Sequence, residues 1–281
     1  MLKSSPQTLF SLAQGRAERR DVGNTATWHI GNAGPRLAFI HGFRGDHHGL
    51  LGLAGALPEM QFVIPDLPGF GRTPALADRH DLAGYSRWLR DFLKQIGPID
   101  ALLGHSFGSL VVTKAISDGL DVQRLILQNP ITTRASEVDS LPNRIADSYY
   151  RAGAKSGSNL LRSQAAVRLM SIGLTKTQKP KLRSFIHRQH SNYFSSFAEN
   201  RVVLEAYQAA RNGNVLDFCD SLPQRLLIIA GQKDLVAPLD GQQALAQLTA
   251  GELRVIKSVG HLTHYETVAE VAQLVSEFME Q

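Results

Sequence analysis

Short apolar runs alternate with segments of helical periodicity along the first 130 residues. Four of these runs end in Gly, Pro or Asp and have the length and composition of buried strands: 36–42, 61–66, 99–104 and 122–130. Apolar positions between 82 and 96 recur with helical spacing, and Asp81 precedes them as an N-cap candidate. A second helical segment, 109–119, follows the third run. Strands that alternate with helices predict βαβ units and a mostly parallel sheet.

The same alternation returns near the end of the chain. The apolar runs and the helical segments that follow them lie at 224–234, 241–251, 253–261 and 267–281. Residues 131–215 differ, because their apolar positions have helical spacing throughout, and the stretch is too long for a connecting loop. The sequence therefore predicts an α/β core built from residues 1–130 and 216–281, with a helical cap at 131–215 inserted between them.

Composition narrows the class of protein. The chain has 281 residues, of which 43% are hydrophobic and 20% charged, as in ordinary soluble globular proteins. Its single cysteine, Cys219, excludes an internal disulfide and fits a reducing compartment. The N-terminal 20 residues lack the continuous apolar segment of a signal peptide, and no run approaches the length of a membrane span. We expect a cytoplasmic protein without stable membrane insertion.

Positive charge is concentrated in the predicted cap. The net charge is +5, yet residues 131–215 alone contain 13 Lys and Arg against 5 Asp and Glu. A solvated helical surface, attraction of an anionic substrate or surface, and nucleic-acid binding are all compatible with this excess. No nucleic-acid-binding motif accompanies it, so we expect no nucleic-acid partner.

A serine stands at a strand-to-helix junction in the segment ALLGHSFGSLVVTKA. Gly104-His105-Ser106-Phe107-Gly108 has the pattern Gly-x-Ser-x-Gly, with an apolar run on each side. Small residues two positions away let the strand and helix pack closely, and the sharp turn presents the hydroxyl at the end of the strand. The pentapeptide alone is compatible with a structural turn. Its strand and helix flanks favour a nucleophile elbow, with Ser106 as nucleophile.

A serine hydroxyl needs a base, and the base needs an acid that holds its tautomer. Asp234 follows a late strand, and two histidines, His261 and His264, follow the last strand. These loops leave the carboxyl ends of parallel strands, at the edge where Ser106 is expected. We prefer His261 as the base because it directly follows Gly260 and the strand, although His264 remains an alternative.

The chain contains five motifs in the order in which the α/β-hydrolase superfamily has them, and it resembles the serine-nucleophile branch of that superfamily, which has a helical cap. Besides the Ser106 and Asp234 motifs and Gly260-His261, they include His41-Gly42 with Phe43 next, and a D-x-P-G-x-G-x-[ST] loop at 66–73. The resemblance spans about residues 25–130 and 224 to the end. It implies an α/β fold whose mostly parallel sheet is flanked by helices, with Ser106, His261 and Asp234 as the triad. It also implies an oxyanion hole formed by the N–H groups of Phe43 and Phe107.

The function implied is that of a serine hydrolase, which forms an acyl-enzyme and uses no cofactor or metal. A serine nucleophile, rather than the aspartate of related dehalogenases and epoxide hydrolases, favours cleavage of an ester, thioester, amide or C–C bond. The expected partner is a small, largely apolar carbonyl substrate. A non-hydrolytic synthase or lyase of the menaquinone-pathway type, and a ligand-binding receptor on the same fold, remain alternatives. The oligomeric state is left open.

Other residues receive structural interpretations. We expect His41 to brace the oxyanion loop, the 66–73 loop to support the site, and His47 and His48 beside Asp46 to be surface histidines rather than zinc ligands. The cap aromatics are expected mostly in the cap core, with a few lining an apolar pocket; they are Tyr149, Tyr150, Phe185, Tyr193, Phe194, Phe197 and Tyr207.

Overall fold

The computed structural model describes residues 4–155 and 159–281; residues 1–3 of the predicted core and 156–158 of the predicted cap lie outside the described residues. Its strands are β1 (Glu18–Arg19), β2 (Thr27–Ile30), β3 (Arg36–Ile40), β4 (Gln61–Pro65), β5 (Ala101–His105), β6 (Arg124–Gln128), β7 (Arg225–Gly231) and β8 (Glu252–Ile256). Its α-helices are α1 (Pro6–Arg16), α2 (His48–Ala56), α3 (Leu82–Ile96), α4 (Phe107–Ser117), α5 (Leu141–Lys155), α6 (Gln164–Leu174), α7 (Pro180–Tyr193), α8 (Asn200–Asn212), α9 (Leu239–Thr249), α10 (Thr263–Glu266) and α11 (Val268–Glu280).

The eight strands form one sheet in the order β1-β2-β4-β3-β5-β6-β7-β8. Pairing is parallel from β4 through β8, whereas β1 and β2 pair antiparallel at one edge. Helices cover both faces of the sheet. This arrangement confirms the predicted fold class, an α/β protein with a mostly parallel central sheet.

Burial on both faces explains why the central strands appear in the sequence as unbroken apolar runs. In β5, Leu103 packs into the core on the side of α1, α2 and α11, while Leu102 packs into the core on the side of α3 and α4. Both side chains are fully buried. Successive residues of a strand point to opposite faces, so a strand that is covered on both sides needs apolar residues at every position.

The strand order places a crevice in the middle of the sheet. From β3 the chain first adds β4 on one side and later adds β5 on the other. In open α/β sheets, a crevice lies outside the carboxyl ends of the strands where the order reverses in this way. Ser106 follows β5 directly and His41 follows β3, so both residues lie at this crevice.

Between β6 and β7 the regular elements of the described chain are helices, as the apolar spacing predicted: α5 to α8 and two 3₁₀ helices, Asn159–Arg162 and Val215–Ser221. This insertion meets the core at the 66–73 loop. The N–H of Gly71 donates to Ser196 O at 2.8 Å, and the N–H of Ala198 donates to Gly69 O at 2.9 Å. Whether residues 131–215 form a domain separate from residues 1–130 and 216–281 stays a prediction.

Helix α1 was not predicted from the sequence, although it contributes to the core. Leu9, Phe10 and Ala13 are buried against α2, and Ser5 caps the helix by accepting a hydrogen bond from Thr8 N. No helix within the described residues combines the length and the apolar character of a membrane span.

Candidate active site

The backbone at Ser106 is strained in the manner expected of a nucleophile elbow. Its φ of 52° and ψ of −118° lie outside the favoured regions for an L-residue. The N–H of Ser106 donates to Gln128 O on β6 at 3.0 Å, which holds the turn against the neighbouring strand. Helix α4 then passes so close to β3 that a Cβ at Gly108 would lie 2.2 Å from Ile40 O. Only glycine fits this close approach.

The structure brings Ser106, His261 and Asp234 into one chain of hydrogen bonds. His261 Nε2 lies 2.7 Å from Ser106 Oγ, and His261 Nδ1 lies 2.8 Å from Asp234 Oδ2. A carboxylate accepts and does not donate, so Nδ1 carries the proton and Nε2 is left to accept the serine hydroxyl. This tautomer is the one in which the imidazole can act as a general base.

Asp234 is held as a carboxylate by four donors. In addition to His261, Oδ2 accepts from Asn129 Nδ2 at 2.9 Å, while Oδ1 accepts from the N–H groups of Val236 at 2.8 Å and Ala237 at 3.0 Å. Burial acts to raise the pKa of Asp234, but the charge and hydrogen bond of His261 and the two backbone N–H groups outweigh burial and lower it. The carboxyl group of Asp234 is therefore ionised at neutral pH.

Asn129 was missed in the sequence analysis. It follows β6 directly, adopts a left-handed φ of 49°, and accepts a hydrogen bond from Thr263 Oγ1 at 2.6 Å through its Oδ1. The available signal was a polar residue at the carboxyl end of a strand neighbouring β5, the same signal that identified Asp234.

His264, the alternative base, lies apart from this hydrogen-bonded chain. Its ring packs against His105 with 4.2 Å between ring centroids, and its Nδ1 has no hydrogen-bond partner within the described residues. Burial, followed by the neighbouring His105, His261 and His190, holds the pKa of His264 well below its usual value. The geometry therefore favours His261 over His264.

The predicted oxyanion donors flank the serine. A Cβ at Gly42 would lie 3.2 Å from Ser106 Cβ, so the loop that carries Phe43 passes directly beside the hydroxyl. Phe107 is the first residue of α4, and first-turn N–H groups have no acceptor within their own helix. His41 supports the loop: its Nδ1 lies 2.9 Å from Gly42 O, and its Nε2 accepts from Leu67 N at 2.8 Å.

The 66–73 loop and the two adjacent histidines form a structural network. Asp66 Oδ1 accepts from both the backbone N–H and Nδ1 of His47, each at 2.8 Å, and Oδ2 accepts from Arg72 N at 2.8 Å. His47 stacks on Trp28, and His48 stacks on Tyr193. The expectation of a surface histidine is therefore wrong for His47, which Trp28 and the buried Asp66 hold inside, whereas His48 is only half-buried beside Tyr193.

Asp46, His47 and His48 place one potential metal-ligand atom each within 4.8 Å of one another. Their hydrogen bonds account for this proximity. Asp46 Oδ1 accepts from the backbone N–H and Nδ1 of His48, each at 3.0 Å, while Asp66 takes Nδ1 of His47. The cluster fits the role of bracing the loop after β3.

A cavity of about 460 Å³ opens over Ser106 and His261. Its walls are largely apolar and are supplied by the β3 loop, the α10 region and the helical insertion. Four of the seven predicted cap aromatics line it, more than the few expected: Tyr150, Tyr193, Phe194 and Tyr207. Such a volume suits a small-molecule ligand rather than a polymer chain.

Comparison with known proteins agrees with the observed fold. The model of a family described as "Alpha/beta hydrolase family" matches residues 37–274. A 2-hydroxymuconate semialdehyde hydrolase of Pseudomonas putida is 27% identical over 240 residues, which cover 77% of this chain and 76% of that protein. A 2-succinyl-6-hydroxy-2,4-cyclohexadiene-1-carboxylate synthase of Klebsiella pneumoniae (strain 342) is 24% identical over 262 residues, covering 87% and 94%. The esterase EaEST of Exiguobacterium antarcticum shares the fold, with a TM-score of 0.77 at 17% identity over 94% of this chain and 98% of that chain.

Proposed function

This chain belongs to the alpha/beta hydrolase family, and from that premise we propose that it is a serine hydrolase of a small, largely apolar carbonyl substrate. The bond cleaved is an ester, thioester, amide or ketone-activated C–C bond. One observation carries the proposal: the hydrogen-bonded chain Ser106–His261–Asp234, whose serine and histidine line a largely apolar cavity.

In the proposed mechanism, Ser106 Oγ attacks the substrate carbonyl while His261 Nε2 takes the hydroxyl proton. Asp234 stabilises the imidazolium that forms. The N–H groups of Phe43 and Phe107 hold the oxyanion, where each donor is typically worth about 3–4 kcal/mol of barrier. His261 then delivers the proton to the leaving group, and water cleaves the acyl-enzyme by the same route. The protein's own residues supply each step, so no cofactor or metal is required.

A second candidate is a synthase or lyase that uses the same three residues to move a proton rather than to form an acyl-enzyme. The similarity to the Klebsiella synthase, which extends over 94% of that protein, favours this alternative. In that reaction His261 and Ser106 together abstract a proton from the bound substrate, and no hydrolysis follows.

Labelling with a fluorophosphonate probe tests the nucleophile. We expect wild-type protein to be modified at Ser106 and Ser106→Ala to be unlabelled, with turnover of p-nitrophenyl esters reduced on the order of 1,000-fold or more. Ser117→Ala is the matched control, because this serine is exposed near the end of α4. Labelling without turnover of any ester favours the synthase. Ligand binding without labelling identifies a receptor and contradicts both enzymatic proposals.

A further inference from the structure

Arg44, the residue after Phe43, has an unusual position for an arginine. It is only 1% exposed and is among the largest fully buried side chains in the protein. Its backbone is left-handed, with φ of 61°, in a turn closed by Gly45 N–H donating to Gly42 O at 3.1 Å. Glycine or asparagine is favoured at such a φ. Both the burial and the backbone strain oppose an arginine here, which points to a role for its side chain.

The guanidinium of Arg44 has no acidic partner within the described residues. Nε donates to Phe194 O at 3.1 Å, Nη2 donates to Leu161 O, and Cζ lies 5.7 Å from the ring centroid of Phe197. Nη1 is buried without any hydrogen-bond partner in the described part of the chain. A buried cation surrounded by neutral groups is destabilising unless a counter-charge is supplied.

Arg44 lines the same cavity as Ser106 and His261. The other permanently charged side chains among the described lining residues already have partners. Asp46 accepts the two hydrogen bonds of His48, and Arg211 Nη2 pairs with Asp147 Oδ2 at 2.9 Å. Among the described residues that line the cavity, Arg44 is therefore the permanently charged one without a charged partner. A bound ligand can neutralise its charge.

Tyr150 adds a second donor beside Arg44. Tyr150 lines the cavity, and its hydroxyl donates to the Met170 sulfur at 3.6 Å, although a thioether is a weak acceptor. Burial raises the pKa of Tyr150, while the charge of Arg44 and a hydrogen-bonding contact with its guanidinium act to lower it, so the two groups are neighbours. A carboxylate bound at Nη1 could also accept the Tyr150 hydroxyl in place of the sulfur.

We propose that Arg44 is a specificity-determining residue whose free Nη1, together with the Tyr150 hydroxyl, binds a carboxylate carried by the substrate at a distance from its reacting carbonyl. The inference rests on the proposed function, because it assigns the substrate class of the Ser106 site. It makes the substrate an acid-bearing carbonyl compound, apolar along the stretch between its two polar ends.

Paired esters test the kinetic consequence. The charged series is the mono-p-nitrophenyl esters of adipic, pimelic and suberic acid, and the neutral series is the p-nitrophenyl esters of hexanoic, heptanoic and octanoic acid. We expect wild-type kcat/KM to be higher for the charged member of at least one pair. In Arg44→Gln the ratio of kcat/KM for the charged ester to kcat/KM for its neutral pair should fall by about 10- to 100-fold, which corresponds to the loss of a charge-assisted hydrogen bond.

Arg162→Gln is the matched control. Arg162 also donates to main-chain carbonyls of the 194–197 segment, at Ser195 and Phe197, and stacks on Phe197, but it does not line the cavity. Its substitution should leave the ratio between charged and neutral esters unchanged. Equal loss of the ratio in both variants would show a general effect on the fold of the insertion and overturn the proposal.

Binding to Ser106→Ala separates this proposal from the catalytic one. Calorimetry with monomethyl adipate and dimethyl adipate measures the carboxylate contribution without turnover. We expect tighter binding of the monoester, loss of the difference when Arg44→Gln is added, and a smaller difference when Arg44→Lys is added, because lysine keeps the charge without the planar fork of donors. If Arg44→Gln does not fold, the Arg44→Lys variant and the wild-type ester ratios decide. Equal binding of the two adipates overturns the carboxylate site even if Ser106 is labelled, whereas preference for the monoester supports the site even if no ester is hydrolysed.

Discussion

Replacing Asp234 with asparagine changes one oxygen into an NH₂ group and removes the charge. In the wild type each carboxylate oxygen accepts two hydrogen bonds, so either orientation of the new amide sets its NH₂ against two donors. With NH₂ at the Oδ1 position, both backbone N–H groups of Val236 and Ala237 lose their acceptor. With NH₂ at the Oδ2 position, His261 can respond by changing tautomer, and only Asn129 keeps an unmatched donor. We expect the second orientation.

The magnitude follows from this count. One buried donor left without an acceptor lowers the free energy of unfolding by about 1–3 kcal/mol. The effect on catalysis is larger, because the new tautomer carries its proton on Nε2, which then faces the Ser106 hydroxyl as a donor and cannot take its proton. Loss of the correct tautomer in a serine triad lowers kcat on the order of 10,000-fold.

The assay is kcat for a p-nitrophenyl ester, measured together with urea denaturation of each variant. Asp121→Asn is the control, since Asp121 is exposed and the same change of charge should leave both quantities within error. A fall in kcat of less than about 10-fold in Asp234→Asn, at the expected loss of stability, would refute the reasoning. It would mean that Asp234 holds the loop together without setting the tautomer of His261.

Two further predictions concern pH and packing. Burial, with a contribution from His187, lowers the pKa of His190 from 6.5 to about 3, so the unfolded chain binds a proton that the native state excludes. The stability that depends on neutral His190 is fully present above about pH 6.5 and is lost as the pH falls. In His190→Leu, the slope of unfolding free energy against pH between pH 6 and 4.5 should be smaller by about 1.4 kcal/mol per pH unit, as measured by urea denaturation. An unchanged slope would contradict this role of His190. Gly108→Ala should lower the free energy of unfolding by about 1–3 kcal/mol and reduce ester turnover, since its Cβ would lie 2.2 Å from Ile40 O. Gly15→Ala in α1, where a Cβ meets nothing within 4 Å, should leave the free energy of unfolding unchanged or raise it in the same urea denaturation. Equal losses of unfolding free energy in Gly108→Ala and Gly15→Ala would contradict the packing argument.

The fold and the positions of the three central site residues could be predicted because both depend on local signals. Six short apolar runs in the sequence agree with observed strands, β3 to β8, and the central ones are covered on both faces. Ser106, Asp234 and His261 each follow such a run, and parallel strands bring their carboxyl ends to one edge. Their proximity therefore follows from topology rather than from any long-range sequence signal.

The features that were missed depend on contacts between distant parts of the chain. The burial of Arg44 results from carbonyl groups at 161 and 194, more than 100 positions away. His47 is buried by Trp28 and Asp66, which lie on separate strands or loops. Helix α1 has little amphipathic contrast, and its burial depends on α2. Nothing in the spacing of residues near these positions reveals such partners.

The junction between the insertion and the 66–73 loop includes two main-chain hydrogen bonds around the paired residues Phe70 and Phe197, besides one from the Ser196 hydroxyl to Gly71 O. Main-chain hydrogen bonds do not depend on the identity of the side chains beside them, so these two can persist while residues of the cavity wall are substituted. During evolution, side chains in α5 to α8 can therefore change, and the substrates bound can change with them, while these helices keep their attachment to the 66–73 loop.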